Sequence, residues 1–373
     1  MDRTVISRRG TETAFARGTG SMRVLVTGNQ GYLGTVVADE ISAAGHEVTG
    51  LDTGVFAECV LGNIPPHDPP TLCADLREVT ATDLGGFDAV VHLAALPDGG
   101  GTGTVQRSVG DANHLASVRL ARLARAAGVR RFIFASTCEV YEPGDGDSTT
   151  EADPLRPTTP WAASKLRTEA DIAALADSGF TPVSLRLATA FGYSPRLRSD
   201  LPVNTMVTTA ALDGRVVLTW DADSRGPVIH VRDAAGAVVR CLEAPAETVH
   251  AASFNVGSRE STVTESELAR MVADAVPGTS VQLVRRSSGR VGPRQLDCGG
   301  IRQAVGFEAR RGLADGIAEL VEAFASAGVD PDVDTEDFLA VFSRAHRPGP
   351  SAAADPLGAV DHTGFDRMAR VAS

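Results

Sequence analysis

Three stretches of this chain carry residue types and spacings that could do chemistry. The first is Gly28-x-x-Gly31-x-x-Gly34, which follows the apolar run Val24-Leu25-Val26 and opens into Val36, Val37 and Ile41 at helical spacing. Glycines without a Cβ let such a turn approach a pyrophosphate, and the helix behind it presents free N–H groups to the anion. A second apolar run, Glu47 to Leu51, ends in Asp52, whose carboxylate can accept hydrogen bonds from a ribose diol. The pattern implies a dinucleotide cofactor and favours NAD over NADP. The second stretch is Thr137-Cys138-Glu139, directly after the apolar run Phe132-Ile133-Phe134. A carboxylate so placed faces a cleft or solvent, and in a closed, partly dry site its raised pKa suits proton transfer. Cys138 serves as an acid/base if its pKa lies near neutrality, and otherwise packs as a small hydrophobe. The third is Trp161-x-x-x-Lys165, a spacing that sets both side chains on one helix face.

Strand and helix patterns must alternate to position these groups. After Asp52 come Cys73-Ala74-Asp75-Leu76-Arg77, the strand pattern Ala89 to Ala95, and a helix with Ala116, Leu120, Leu123, Ala124 and Ala127 on one face. The strand pattern Arg131 to Ala135 follows. This alternation predicts an α/β fold, a doubly wound parallel Rossmann sheet whose ligands lie beyond the carboxyl ends of the strands.

The whole chain limits the partners. Its 373 residues suffice for one large core or two moderate ones. A net charge of -12 without a basic stripe argues against nucleic acid. No apolar run approaches the roughly 20 residues that span a bilayer, so no membrane is expected. The cysteines (Cys59, Cys73, Cys138, Cys241, Cys298) lack metal-site or disulfide-framework spacing, which fits a reduced cytoplasm. His92 and His230 sit in apolar strand patterns and His114 near a helix start, so all three read as structural and no metal site is expected. Residues 1–21 carry four arginines against one Asp and one Glu and lack an apolar core, so they read as a disordered arm rather than a secretory signal. Residues 344–373, rich in Pro, Gly and Ala, read as a loosely ordered tail. The glycine-dense loop Leu96 to Thr104 suits either a lid or a slack surface loop.

Taken together, the chain resembles the extended short-chain dehydrogenase/reductase family, in its NAD-dependent sugar-nucleotide epimerase/dehydratase branch. The matching pieces are the glycine turn, Leu51-Asp52, Asp75-Leu76-Arg77, His92-Leu93-Ala94-Ala95, Ala135 to Tyr141 and Ser164-Lys165. Arg186 to Gly192, His230-Val231-Arg232-Asp233 and Phe254-Asn255-Val256-Gly257 complete them. The resemblance implies that Gln30, Tyr32 and Leu33 hold cofactor with the three glycines, that Asp75 and Leu76 meet the adenine, and that Leu93, Ala94 and Ala95 line the dinucleotide. It implies that Lys165 holds the nicotinamide ribose and Thr137 bonds the reacting hydroxyl, with the tripeptide Thr137-Cys138-Glu139 supplying acid and base as in dehydratases. It also implies a division into a cofactor domain (22–190, with 229–257 returning to it) and a smaller α/β substrate lobe (191–228 and 258–343). In that lobe Tyr193, Arg196, Arg198, Asn204 and Arg225 are candidates for a nucleotide-sugar diphosphate, since a guanidinium suits such an anion. Arg285, Arg286, Arg290 and Arg294 form a second cluster. Helices near 105–127 and 158–176 would pair in a homodimer.

One departure matters. The family places a tyrosine where this chain has Trp161. A phenol can ionise beside a lysine, whereas an indole N–H only donates a hydrogen bond. Trp161 is therefore no general base, and the proton transfer falls to Glu139, Cys138 or Lys165. Two other readings stay open at this point: a non-catalytic descendant that binds dinucleotide or sugar nucleotide, and a ketoreductase with an unconventional proton donor.

Overall fold

A computed structural model describes residues 20–62, 67–96, 103–141, 148–218, 225–258, 262–283, 295–329 and 333–342. The N-terminal arm, most of the loop after Leu96, the cluster Arg285, Arg286, Arg290 and Arg294, and the C-terminal tail lie outside the described residues. In chain order the strands are β1 (Arg23–Thr27), β2 (Glu47–Asp52), β3 (Thr71–Cys73), β4 (Ala89–His92), β5 (Arg131–Thr137) and β6 (Thr181–Leu187). They continue as β7 (Thr189–Phe191), β8 (Arg215–Leu218), β9 (Arg225–His230), β10 (Ala252–Val256), β11 (Thr262–Thr264) and β12 (Ser280–Leu283). The helices that frame the site are α1 (Tyr32–Ala43), α2 (Gly103–Ala126), α3 (Pro160–Ala173), α4 (Pro202–Asp213) and α5 (Val231–Glu243).

Seven strands form one sheet in the order β10-β6-β5-β4-β1-β2-β3, with every pairing parallel. The central strands β1, β4, β5 and β6 are buried on both faces, and successive side chains alternate between two cores. Val24, Val26, Val91 and Ile133 belong to one core, shared with Val37 and Ile41 of α1 and Ala234 and Val238 of α5. Leu25, Val90, Phe132 and Phe134 belong to the other, shared with Leu120, Ala121 and Ala124 of α2 and Ile172 of α3. Burying each of these large side chains contributes about 1.5–3 kcal/mol. The parallel Rossmann sheet expected from the alternation is thus present.

Two boundaries differ from the sequence reading in an informative way. β4 stops at His92, and Leu93 to Ala95 continue as irregular chain against the glycine turn. β5 runs on through Ser136 and Thr137 because β6 stays in register with it to Leu187. Outside the main sheet, β7, β9 and β11 form a three-stranded sheet, and β8 pairs with β12.

Candidate active site

Neighbouring strands β1, β4 and β5 end at one edge of the sheet, and two sets of groups gather there. At the end of β1 the chain turns through Gly28, which has φ +75°, a conformation that L side chains rarely adopt. A Cβ on Gly28 would lie 2.8 Å from the Ala94 nitrogen, and one on Gly34 would collide with the Gly28 carbonyl oxygen. The turn therefore accepts only glycine at both positions. Gly31 caps α1 with extended backbone and no side-chain hydrogen bond, so the first N–H groups of the helix, from Tyr32 and Leu33, stay available to an anion.

The Asp52 carboxylate stands beside this turn, accepting hydrogen bonds from the Gln30 N–H at 3.2 Å and the Gly54 N–H at 3.0 Å. Leu93 and Ala94 close the other side, their N–H groups bonding the Thr27 carbonyl at 3.1 Å and its hydroxyl at 3.3 Å. Ala95 follows them, half-buried. Asp75 lies just past β3, and the Arg77 guanidinium at 2.7 Å holds its carboxyl below the usual range. Leu76 next to it packs its side chain on the second core. This cradle fits a dinucleotide: its glycines leave the space a backbone-held pyrophosphate needs, and its acid stands at the end of β2.

At the end of β5, a single 3-10 turn (Cys138–Val140) is started by Thr137, whose hydroxyl oxygen accepts the Glu139 N–H at 3.2 Å. Cys138 is buried, while Thr137 and Glu139 are half-buried. Across from the turn, α3 begins with Thr159 as N-cap and Pro160 in its first turn, a combination that fixes where the helix starts. Lys165 is only 7% exposed. Its Nζ donates to the Ala135 carbonyl at 2.7 Å and lies 4.6 Å from the Phe134 ring centroid and 4.8 Å from that of Trp161. Trp161 and Lys165 do share a helix face, and the indole is used as a cation-binding surface.

His92 lies between the two sets, its ring stacked on Phe134 at 5.8 Å between centroids. Its ring nitrogens bond the Thr27 hydroxyl at 2.7 Å and the Ser117 hydroxyl at 2.8 Å. Burial, reinforced by the Lys165 charge, pushes its pKa down to about 3. It is a neutral structural histidine.

Sequence reasoning missed the network that supports the Thr137–Glu139 turn. The Ser136 hydroxyl bonds the Glu169 carboxylate, which pairs with Arg186 at 2.8 Å with both side chains buried. Arg186 donates to the Tyr141 hydroxyl at 2.8 Å, and that hydroxyl donates to the Asn255 side-chain oxygen at 2.6 Å. Burial pushes the Tyr141 phenol up to about 12, so it serves packing. Two signals were available: Glu169 lies four residues past Lys165 on the same helix face, and Arg186 interrupts an apolar strand.

Four of the second-lobe candidates, Asn204, Tyr193, Arg198 and Arg196, have hydrogen-bond partners within the protein. Asn204 is fully buried, its amide oxygen accepting the Gly192 N–H at 3.1 Å and its nitrogen donating to the Arg198 carbonyl at 3.0 Å. Asn204 thus has no exposed surface and both ends of its amide engaged. Tyr193 donates its hydroxyl to the Leu61 carbonyl at 2.7 Å. Arg198 forms a fork with Asp200 at 2.9 and 2.7 Å. Arg196 is buried against α1, bonding the Thr35 hydroxyl at 3.0 Å. Arg225 opens β9, opposite Thr264 of β11.

Several known proteins are similar to this chain. The profile of the NAD dependent epimerase/dehydratase family matches residues 24–257. A UDP-glucose 4-epimerase of Mycolicibacterium smegmatis is 30% identical over 319 residues, covering 81% of this chain and 98% of that protein. A dTDP-glucose 4,6-dehydratase of Streptomyces niveus is 29% identical, with 81% and 92% covered. Among solved structures, MoeE5 in complex with UDP-glucose and NAD superposes with a TM-score of 0.70 at 27% identity, covering 81% of this chain and 98% of that one.

Proposed function

The chain belongs to the NAD dependent epimerase/dehydratase family, and from that membership we propose that it epimerises or dehydrates a nucleoside diphosphate sugar while keeping NAD in the glycine turn. The names of its relatives, which specify UDP-glucose and dTDP-glucose, support that substrate class. When bound, NAD supplies a hydride acceptor that returns what it takes within one turnover. The chain supplies the rest. The α1 N-terminus holds the pyrophosphate, and Asp52 holds a ribose diol. Thr137 keeps its hydroxyl proton to bond the reacting sugar hydroxyl, because its oxygen already accepts from the Glu139 N–H.

The observation that carries the acid/base assignment is the setting of Lys165. An ammonium bonded to a carbonyl and flanked by two aromatic faces is stabilised as a cation. Lys165 therefore acts by charge, orienting cofactor and substrate. Cys138 is buried, which leaves Glu139 to take the sugar's proton and give it back. Purified protein supplied with UDP-glucose or dTDP-glucose, followed by proton NMR, tests the reading. Glu139→Gln should lower turnover by about 10²–10⁴-fold with NAD content unchanged. Undiminished turnover in that variant removes Glu139 from the chemistry.

The division into a cofactor domain (22–190 and 229–257) and a substrate lobe (191–228 and 258–343) belongs to the same proposal. It is supported by β10 lying in the main sheet while β7, β8, β9, β11 and β12 form separate ones. A homodimer through α2 and α3 is supported by Leu115, which stands 66% exposed on α2. Light scattering should give twice the chain mass; a monomer would reject that contact. No helix among the described residues is long and apolar enough to cross a membrane, and the free cysteines suit a cytoplasmic setting.

A further inference from the structure

Asn255 stands on β10, the edge strand of the main sheet, and is fully buried. A polar side chain without exposed surface must pair its donors and acceptors inside the protein, and Asn255 does so on three separate stretches of chain. Its Oδ1 accepts the Tyr141 hydroxyl at 2.6 Å. Its Nδ2 donates to the Thr149 and Asp297 carbonyls, each at 3.1 Å, and its backbone N–H donates to the Glu151 carboxylate at 2.9 Å. These partners dictate how the amide is turned, because two carbonyl oxygens can face only its nitrogen.

The first stretch is the one that carries Glu139. Tyr141 closes the Thr137–Glu139 turn, its N–H bonding the Cys138 carbonyl at 3.3 Å and its backbone bridging Leu155. The other two stretches are bound to each other. The Thr149 N–H bonds the Gln295 carbonyl at 3.0 Å, and the Asp297 N–H bonds the Thr149 carbonyl at 2.8 Å. The Cys298 thiol then reaches the Gly257 carbonyl at 3.6 Å, just past β10. Residues 295–298 lie in the stretch assigned above to the substrate lobe. Glu169 and Arg186 brace the Glu139 turn from the cofactor domain, whereas Asn255 ties it to chain arriving from the lobe. The two supports meet at the Tyr141 hydroxyl, which accepts from Arg186 at 2.8 Å and donates to Asn255. Burial keeps that phenol protonated, so the donor is permanent.

We infer that Asn255 is a positioning residue: acting through Tyr141, it fixes the turn that bears Glu139 to the chain entering from the substrate lobe at 295–298. The lobe and the proton-transferring carboxylate are thereby held in one register. The inference rests on the reading that Glu139 moves the proton. Its consequence is kinetic, since a misplacement of about 1 Å at reacting atoms costs about 10²-fold in rate.

The test is a double-mutant cycle between Tyr141→Phe and Asn255→Ala in the full-length protein, read by steady-state turnover of UDP-glucose or dTDP-glucose and by hydrogen exchange. Tyr141→Phe keeps the ring and deletes the hydroxyl. Asn255→Ala keeps the backbone bond to Glu151 and deletes the amide. Each should lower kcat by about 10- to 100-fold, leave KM and NAD content unchanged, and speed exchange of the Glu139 and Tyr141 amides. Both variants cut the same link, so the double variant should be no slower than the slower single one. Losses that add, as two independent structural defects would, overturn the inference. If Asn255→Ala does not fold, Tyr141→Phe decides alone: an unchanged kcat, or a rise confined to KM, overturns it. Undiminished turnover in Glu139→Gln, or wild-type protein inactive on both sugars, overturns the Glu139 reading and this inference together. A slowed Glu139→Gln beside an undisturbed Tyr141→Phe overturns this one alone.

Discussion

The glycine turn and the Thr137–Lys165 corner lie at the ends of parallel strands β1 and β5, with β4 between them, and they solve their tasks by different means. The turn works with backbone: its glycines are required because a single carbon at Gly34 would occupy the space of the Gly28 carbonyl oxygen. The corner works with side chains held in place from behind by Ser136, Glu169, Arg186 and Tyr141. A backbone device admits no substitution, whereas a side chain on a fixed helix can be exchanged while its neighbours keep their positions. Trp161 stands on such a helix, at the position where the family resemblance places a tyrosine. The helix, its cap and Lys165 persist around it, and the indole contributes a face to the lysine where a phenol would contribute an ionisable proton.

The sharpest way to break this contrast is Gly34→Ala. The collision has no flexible side chain to absorb it, so the variant should purify without nucleotide or fail to fold, as read by absorbance at 260 nm and circular dichroism. A folded, nucleotide-loaded variant would show that the turn is not backbone-limited. Arg186→Met probes the support of the corner. It leaves the buried Glu169 carboxylate unpaired, which should cost about 3–5 kcal/mol in chemical denaturation. Nucleotide content in the folded fraction should hold, because no atom of that network touches the turn.

His92 tests the seam between the two regions through pH. The unfolded chain protonates near 6.5, whereas the folded ring resists until about 3. The folded state is therefore favoured fully above 6.5 and loses ground as pH falls through that window, by about 1.4 kcal/mol per pH unit. Melting temperatures measured between pH 7 and pH 4 should decline less steeply in His92→Gln. An identical slope would mean that other groups carry the acid sensitivity. The smallest effect is expected at Trp161. Removing the aromatic face with Trp161→Ala should cost about 0.5–2 kcal/mol of Lys165 fixation, and Trp161→Phe should restore most of it. Turnover that rises in Trp161→Tyr would show that the corner still accepts the phenol-based route.

The two regions also differed in how far their residues could be read. The glycine spacing, the apolar runs on either side of it and the acid at the end of β2 are local signals, and each corresponds to a local backbone shape in the fold. The corner was legible only as far as chain order reaches. Trp161 and Lys165 on one face follow from helical spacing, but the Phe134 ring on the other side of the ammonium comes from a different strand. The bond from Tyr141 to Asn255 spans 114 positions, and no periodicity announces such a pair. Asn204 and Arg196 were read as ligand contacts because they lie in an arginine-bearing stretch of the expected substrate lobe, where a guanidinium suits a diphosphate. The burial of Asn204 beneath Gly192 and Arg198, and of Arg196 against α1, depends on how Gly192 to Arg198 crosses the glycine turn, which only the tertiary fold determines.

The central claim is that the backbone-built half of the site holds NAD through the catalytic cycle while the side-chain half moves protons. Freshly purified protein, denatured and analysed for released nucleotide by mass, tests it most directly. Near-stoichiometric NAD or NADH is the predicted result. Protein that releases none, and that binds neither NAD nor NADH when they are added, would contradict the account.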